Sequence, residues 1–404
     1  MKKRDYYKNI WEEFRKEKNM VFISGPRQAG KTTFAEDIAL NETASLYFNY
    51  DIPANKKTLL TNPAFFEEID RDFNTIPLVI LDEIHKYQDW KNYLKGIYDG
   101  YAKEFRFLVT GSGRLDLSRK KGDALAGRYL HYHLFPFTNG EIFSSGIGPE
   151  NIGHLLDLPR QSNEAQEAWE TIFNVSGFPE PFLNGAKQKY RRWKNAYHTR
   201  IIRDDIRDEF AVKQIDTMET LYSILPDFVG NPLSCSNQAR TLKVTHKTID
   251  SWITIFEKFM LLFIIRPYHK SISRSLTKSP KIYFFDPCLV RDESLRFENM
   301  AALELQRAVT MWTDYGSGDY KLWFLRNKDK EEVDFLITKD NEPLLMVEAK
   351  FSETSVSPHL FKFQNILNIP AVQLVHQKGV GRSVRNGKNT ILIASAANWF
   401  CGLN

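Results

Sequence analysis

The stretch Gly25-Pro26-Arg27-Gln28-Ala29-Gly30-Lys31-Thr32 constrains this chain more than any other segment. It follows the apolar run 20–24 and precedes a helical pattern from Thr33 onward. Glycines at both ends let the backbone turn so that its N–H groups face inward. The helix start behind them adds a positive dipole end, and together they form a cradle for phosphate oxygens. Lys31 suits the β- and γ-phosphates and the Thr32 hydroxyl suits Mg²⁺. The alternative is a chance glycine-rich turn, which the strand–loop–helix setting disfavours.

The surrounding pattern agrees with a phosphate-binding α/β sheet. Apolar runs at 20–25, 45–50, 77–83, 105–112 and 128–137 alternate with helical stretches. Continuous apolar strands separated by helices predict a parallel sheet covered on both faces. The run at 77–83 ends in Asp82 and Glu83, at the strand end where open α/β sheets bind ligands. Asp82 suits a partner of Mg²⁺ and its water, and Glu83 suits the base that orients the attacking water. The alternative is an N-cap starting a helix over 84–94. The run at 105–112 ends in Thr110, Gly111 and Ser112 at the same sheet edge. Arg114, Arg119 and Arg128 are candidates for an arginine finger, and Arg128 is preferred because it directly precedes a strand.

Composition narrows the class. Lys and Arg number 55 against 50 Asp and Glu, a net charge of +5, which permits nucleic-acid contact without requiring it. The three cysteines, Cys235, Cys288 and Cys401, are far apart with no C-x-x-C, so neither a disulfide scaffold nor a thiolate zinc site is expected. The longest apolar run, 259–265, is flanked by Lys258 and Arg266 and is too short to cross a bilayer. A cytoplasmic protein without a membrane partner is expected.

Past residue 138 the chain turns polar and helical, interrupted by the Gly- and Pro-rich turn at 176–185. Around Thr245, a possible helix cap, Ile249, Trp252, Ile253, Phe256 and Phe259 follow the 3.6-residue period. Lys247, Thr248 and Ser251 occupy the opposite face and would suit a DNA groove. The same helices could equally serve only to pack between larger domains.

In the last module, 332–337 and 344–351 alternate as strands. With a loop at 339–343, position 337 faces 345 and Asp334 lies opposite Glu348, their β-carbons roughly 5 Å apart. Two such carboxylates repel unless a cation lies between them or one is protonated. Mg²⁺ held by Asp334, Glu348 and the Ala349 carbonyl would resolve this, with Lys350 on a water or the scissile phosphate. Glu298, read as the start of the preceding helix, would complete the metal shell. The plain alternative is an exposed cross-strand charge cluster. His131 and His133 share a strand face without a third ligand and read as packed or surface histidines.

The segments GPRQAGKTT, LDEIHKYQDW, VTGSGRL, LAGR, LFPFTNGEI and SGFPEP resemble one prokaryotic family. In it an AAA-type ATPase domain precedes a winged helix and a domain of unknown function resembling PD-(D/E)XK nucleases. The resemblance covers essentially the whole chain and implies four segments. They are an ATPase domain over 1–140, a helical lid over 141–215, a winged helix over 216–272 and a nuclease-like α/β domain over 273–404. It further implies ATP and Mg²⁺ as cofactors, DNA as a partner and a homo-oligomer. Carried over residue by residue, the nucleotide would be held by Gly25, Pro26, Arg27, Gln28, Ala29, Gly30, Lys31, Thr32, Thr33, Asp82, Glu83 and Thr110. Glu298, Asp334, Glu348 and Lys350 would form the nuclease-like set. One departure is His85, where family members tend to carry Gln. An ATP-switched binding protein whose nuclease-like domain does not cut is the other function compatible with these residues.

Overall fold

The computed structural model describes residues 4–72, 75–113, 125–143, 152–210, 212–269 and 278–403. The chain divides into two compact units, Lys2–Pro136 and Phe137–Asn404. Arg114 and Arg119 lie outside the described residues.

The first unit is built on a five-stranded sheet of order β2-β3-β4-β1-β5. Its strands are β1 (Met20–Gly25), β2 (Ser45–Asn49), β3 (Leu78–Asp82), β4 (Arg106–Ser112) and β5 (Tyr129–His133). Every neighbouring pair is parallel, as the unbroken apolar runs require. All residues of β1 and β3 are buried, so helices must cover both faces. Strand β4 lies between β1 and β3, which brings the ends of three chain-separated strands to one edge. The segment after Asp82 differs from expectation. A single 3₁₀ turn, Ile84–Lys86, precedes a helix that starts only at Trp90, because Tyr87 takes an extended backbone conformation (φ −74°, ψ 126°) that ends the first turn.

The second unit opens with helices, among them Asn163–Val175, Pro179–Asn184 and Lys187–Thr199. Ile215–Ile224, Cys235–Leu242 and His246–Lys258 follow. Thr245 caps the last, its Oγ1 accepting from the Thr248 N–H at 3.1 Å. Ile249, Trp252, Ile253, Phe256 and Phe259 are buried, whereas Lys247 and Ser251 are exposed. Strand β6 (Leu262–Pro267) pairs antiparallel with β7 (Lys281–Phe284) and parallel with β8 (Tyr320–Arg326) at Arg266 and Pro267. These strands join β9 (Glu332–Lys339), β10 (Glu342–Lys350), β11 (Ala371–Val375), β12 (Gly381–Asn386) and β13 (Asn389–Ser395). The eight-stranded order is β12-β13-β11-β10-β9-β8-β6-β7. The β12–β13 hairpin has no counterpart in the sequence reading. The long helix Glu293–Asp314 starts one turn earlier than expected, capped by Asp292, so Glu298 sits in its second turn.

Candidate functional sites

The first site lies at the C-terminal edge of the parallel sheet. Gly25 ends β1 where a side chain cannot fit, since a Cβ there would lie 2.2 Å from the Leu134 carbonyl oxygen. Gln28 (φ 60°) and Gly30 (φ 94°) turn the loop through left-handed conformations before the helix Lys31–Ala39. Lys31 is buried, and its Nζ donates to the carbonyls of Gly25 at 3.0 Å and Pro26 at 2.8 Å. Burial lowers its pKa to about 8 against the opposing pull of Glu83 and Asp82.

Asp82 forms the centre of this edge. One of its oxygens accepts from Thr32 Oγ1 at 2.8 Å and from Tyr47 Oη at 2.6 Å. The other accepts from Thr110 Oγ1. Asp82 is therefore not a helix cap. Glu83 hangs from β4 through its N–H to the Thr110 carbonyl. Its carboxylate lies 3.3 Å from Lys86 Nζ and 3.6 Å from His85 Nε2. Arg128 sits at the opposite end of the sheet, where its carbonyl accepts from Met20 N at the start of β1. Its guanidinium pairs with Asp99 at 2.8 Å, so it is not brought to this chain's own loop. His131 pairs with Ser24 Oγ at 2.7 Å and is half-buried on β5.

Two contributors to this edge were not singled out in the sequence. Arg4 donates to the carbonyls of Ala29 at 2.6 Å and Phe135 at 2.8 Å, stapling the loop to the segment after β5. Tyr47 belongs to an apolar run, and nothing but its odd position there marks it.

The donor set fits a nucleoside triphosphate with Mg²⁺. A buried ammonium, a hydroxyl already joined to a carboxylate and a loop with left-handed turns meet at one edge.

The second site lies on β9 and β10. The hairpin turn is Asp340–Asn341, both with positive φ, and Lys339 pairs with Glu342. This turn is shorter than the expected loop. The register nevertheless places 345 opposite 337 as expected, because Leu344 is unpaired and forms a bulge between Pro343 and Leu345. Were Leu344 paired in the ladder instead, Glu348 would face Val333. The Asp334 N–H donates to Glu348 Oε2 at 3.2 Å, and the Ala349 N–H donates to Asp334 Oδ2 at 3.0 Å. Lys350 Nζ lies 2.9 Å from Glu348 Oε1. Burial, and then the Asp334 charge, pushes the Glu348 carboxyl pKa upward.

Glu298 joins this cluster, but through partners not foreseen. Tyr283 Oη donates to Glu298 Oε1 at 2.7 Å. Lys281 Nζ lies 3.2 Å from Glu332, 3.6 Å from Glu298 and 3.7 Å from Asp334. The only available signal was the spacing K-x-Y at 281–283, which puts both side chains on one strand face. The acids are chemically suited to a divalent ion. Their arrangement does not fit one as it stands, because an ammonium already bridges Glu298 and Asp334.

Residues 17–143 match the AAA domain family. Two further families, each described as a domain of unknown function (DUF8612 and DUF4143), match residues 166–298 and 296–395. An uncharacterized protein of Mycobacterium tuberculosis is 24% identical over 285 residues, 70% of this chain and 58% of its own length. One from Methanocaldococcus jannaschii is 25% identical over 292 residues, 66% of this chain and 60% of its own. The chain thus spans about three fifths of these relatives. Among solved structures, Aeropyrum pernix Orc1 in complex with DNA aligns at a TM-score of 0.32 and 11% identity, covering 75% of this chain and 93% of that one. AMPPCP-bound DnaA from Aquifex aeolicus aligns at 0.30 and 15%, covering 63% and 86%. The segment that matches the AAA domain family contains both the Gly25–Thr33 loop and the Asp82–Glu83 pair. No helix among the described residues is long and apolar enough to cross a membrane.

Proposed function

We propose that this chain binds and hydrolyses ATP with Mg²⁺ and uses that cycle to act on DNA. The observation that carries the reading is the Thr32–Asp82 hydrogen bond of 2.8 Å, which joins the phosphate loop to the acid ending a neighbouring strand. In the nucleotide cycle, loop N–H groups orient the phosphates, and Lys31 exchanges the carbonyls of Gly25 and Pro26 for phosphate oxygens. Bound Mg²⁺ would neutralise phosphate charge between Thr32 and Asp82. Glu83 takes the proton of the attacking water after its carboxylate leaves Lys86. Arg128, held away from this chain's own loop by Asp99, would serve the nucleotide of a neighbouring copy in a homo-oligomer.

The exposed Lys247 and Ser251, with the half-buried Thr248 between them, support DNA contact by a winged helix over 216–272. The segment 141–215 would then be the lid and 273–404 the nuclease-like domain of a cytoplasmic protein. For that last domain the second reading is favoured, recognition without cutting, because Lys281 stands between two of the acids a metal would need.

Turnover and nicking assays test both levels. Glu83→Gln is expected to keep ATP binding while slowing turnover by roughly a hundredfold or more. Unchanged turnover would sink the nucleotide site. Plasmid nicking in Mg²⁺ that Lys350→Ala removes would restore the cutting reading. DNA retention that follows ATP, without nicking, supports the second.

Nucleotide binding should also be linked to pH. Unliganded Lys31 loses its proton above about pH 8, and phosphates beside it restore the charged form. ATP binding is therefore expected to take up a proton at about pH 9 and to weaken as pH rises from about 7 to that value. Calorimetry in buffers of different ionisation enthalpy measures the uptake, and none at pH 9 would contradict this role for Lys31.

A further inference from the structure

The acid cluster of the second unit already contains its cation. Lys281 is 1% exposed and lies within 3.7 Å of carboxylate oxygens of Glu298, Glu332 and Asp334. We propose that the Lys281 ammonium is the resident cation of this cage, so that Lys281 and a divalent metal ion exclude one another between Glu298 and Asp334. The proposal rests on reading Asp334 and Glu348 as a metal-competent pair.

Three independent features hold this arrangement. The first is that the acids already have donors. Asp334 Oδ1 faces Lys281 and Oδ2 accepts from Ala349 N–H. Glu348 Oε1 faces Lys350 and Oε2 accepts from Asp334 N–H. The second is that Glu298 is held beside Lys281 by contacts of its own. Tyr283 donates to its Oε1, and on its other side lies Gly230 (φ 77°), where a Cβ would sit 2.7 Å from Oε2. The third is that Lys281 is seated with its ammonium 5.2 Å from the Phe324 ring centre.

Geometry makes the two cations alternatives. Mg²⁺ binds oxygens at roughly 2.0–2.1 Å, so a metal bridging Glu298 and Asp334 would occupy the space the ammonium bridges. Two cations so close in a buried site repel strongly. With Lys281 in place, its ammonium supplies between Glu298 and Asp334 the positive charge that a metal would otherwise supply. Metal-dependent chemistry there would require Lys281 to withdraw.

Mn²⁺ titration of the full-length protein without nucleotide, followed by electron paramagnetic resonance, tests this. Asp334→Asn serves as the background, so that Mn²⁺ at the first unit is subtracted. Wild type is expected to show no Asp334-dependent site tighter than about millimolar. Lys281→Met should create one at least about tenfold tighter, and its melting temperature should rise on adding Mn²⁺. Equal Asp334-dependent affinity in both proteins would overturn the exclusion while leaving the metal-competent pair intact. No Asp334-dependent site in either would instead remove the pair as a metal site, and the exclusion with it. Should Lys281→Met fail to fold even with Mn²⁺, Glu332→Gln takes its place, since it removes the ammonium's nearest carboxylate and leaves Glu298 and Asp334 intact. A gain of about threefold in Mn²⁺ affinity then supports the proposal, and no gain overturns it.

Discussion

Lys31→Met is expected to weaken ATP binding by about two to four orders of magnitude without destabilising the unliganded protein. Each charge-assisted contact to phosphate contributes about 1.5–3 kcal/mol, and an ammonium at this position serves two phosphates. Among the described residues of the unliganded fold, the same group has only the carbonyls of Gly25 and Pro26 as hydrogen-bond partners. Its pKa falls from 10.5 to about 8 on burial. A base whose pKa falls on folding costs stability at pH below 8, a cost that fades as pH rises toward the unfolded value. Methionine removes that cost and keeps much of the volume. Calorimetric melting should therefore show an unchanged or higher Tm near neutral pH, with the nucleotide-induced rise in Tm gone. A clear drop in Tm, or retained affinity, would show that Lys31 is a structural residue and not a phosphate ligand.

The largest stability effect is expected at Gly177→Ala. A Cβ there would lie 2.2 Å from the Phe137 carbonyl oxygen, and the Phe137 N–H donates to the Gly177 carbonyl at 2.7 Å. Both sides of the clash are backbone, so relief requires moving a main chain that is hydrogen-bonded at the same point. Ser176 just before it is held at φ 78°, which leaves little slack. A loss of about 4 kcal/mol or more is expected in denaturant melts of the second unit. Gly96→Ala is the contrast. It lies inside the helix Trp90–Tyr101, and a Cβ there meets nothing within 4 Å, so a gain of roughly 0.5–1 kcal/mol is expected. Similar effects at the two positions would refute the steric argument.

The first unit was largely legible because its information is local. The runs that form β1 to β5 are continuous and apolar, and the loop at 25–32 has fixed spacing. The hydroxyls of Thr32 and Thr110 needed only the strand order to meet Asp82. Tyr47 and Arg4 were not legible, since each reaches its partner across tens of residues with no spacing rule to announce it. The second unit divides the same way. Alternation alone placed Asp334 opposite Glu348, a relation within one hairpin. Lys281 comes from a strand that joins the sheet through β6 and β8, and no periodicity links 281 to 298 or 334. The β12–β13 hairpin escaped because β12 is mostly exposed and lacks an apolar alternation to read.

The unpaired Leu344 bears on how this hairpin tolerates changes in length. Thirteen residues separate Asp334 from Glu348, an odd number, whereas a regular hairpin closed by two residues sets an even number between facing partners. The surplus residue is stored beside the turn. A homologue one residue shorter at this spot would keep its acids face to face on an unbroken ladder. The same deletion taken from the Asp340–Asn341 corner would have to be absorbed by a different turn, or Glu348 would swing to the far side of the sheet. Natural insertions and deletions in this region should therefore collect at 344 and spare the corner.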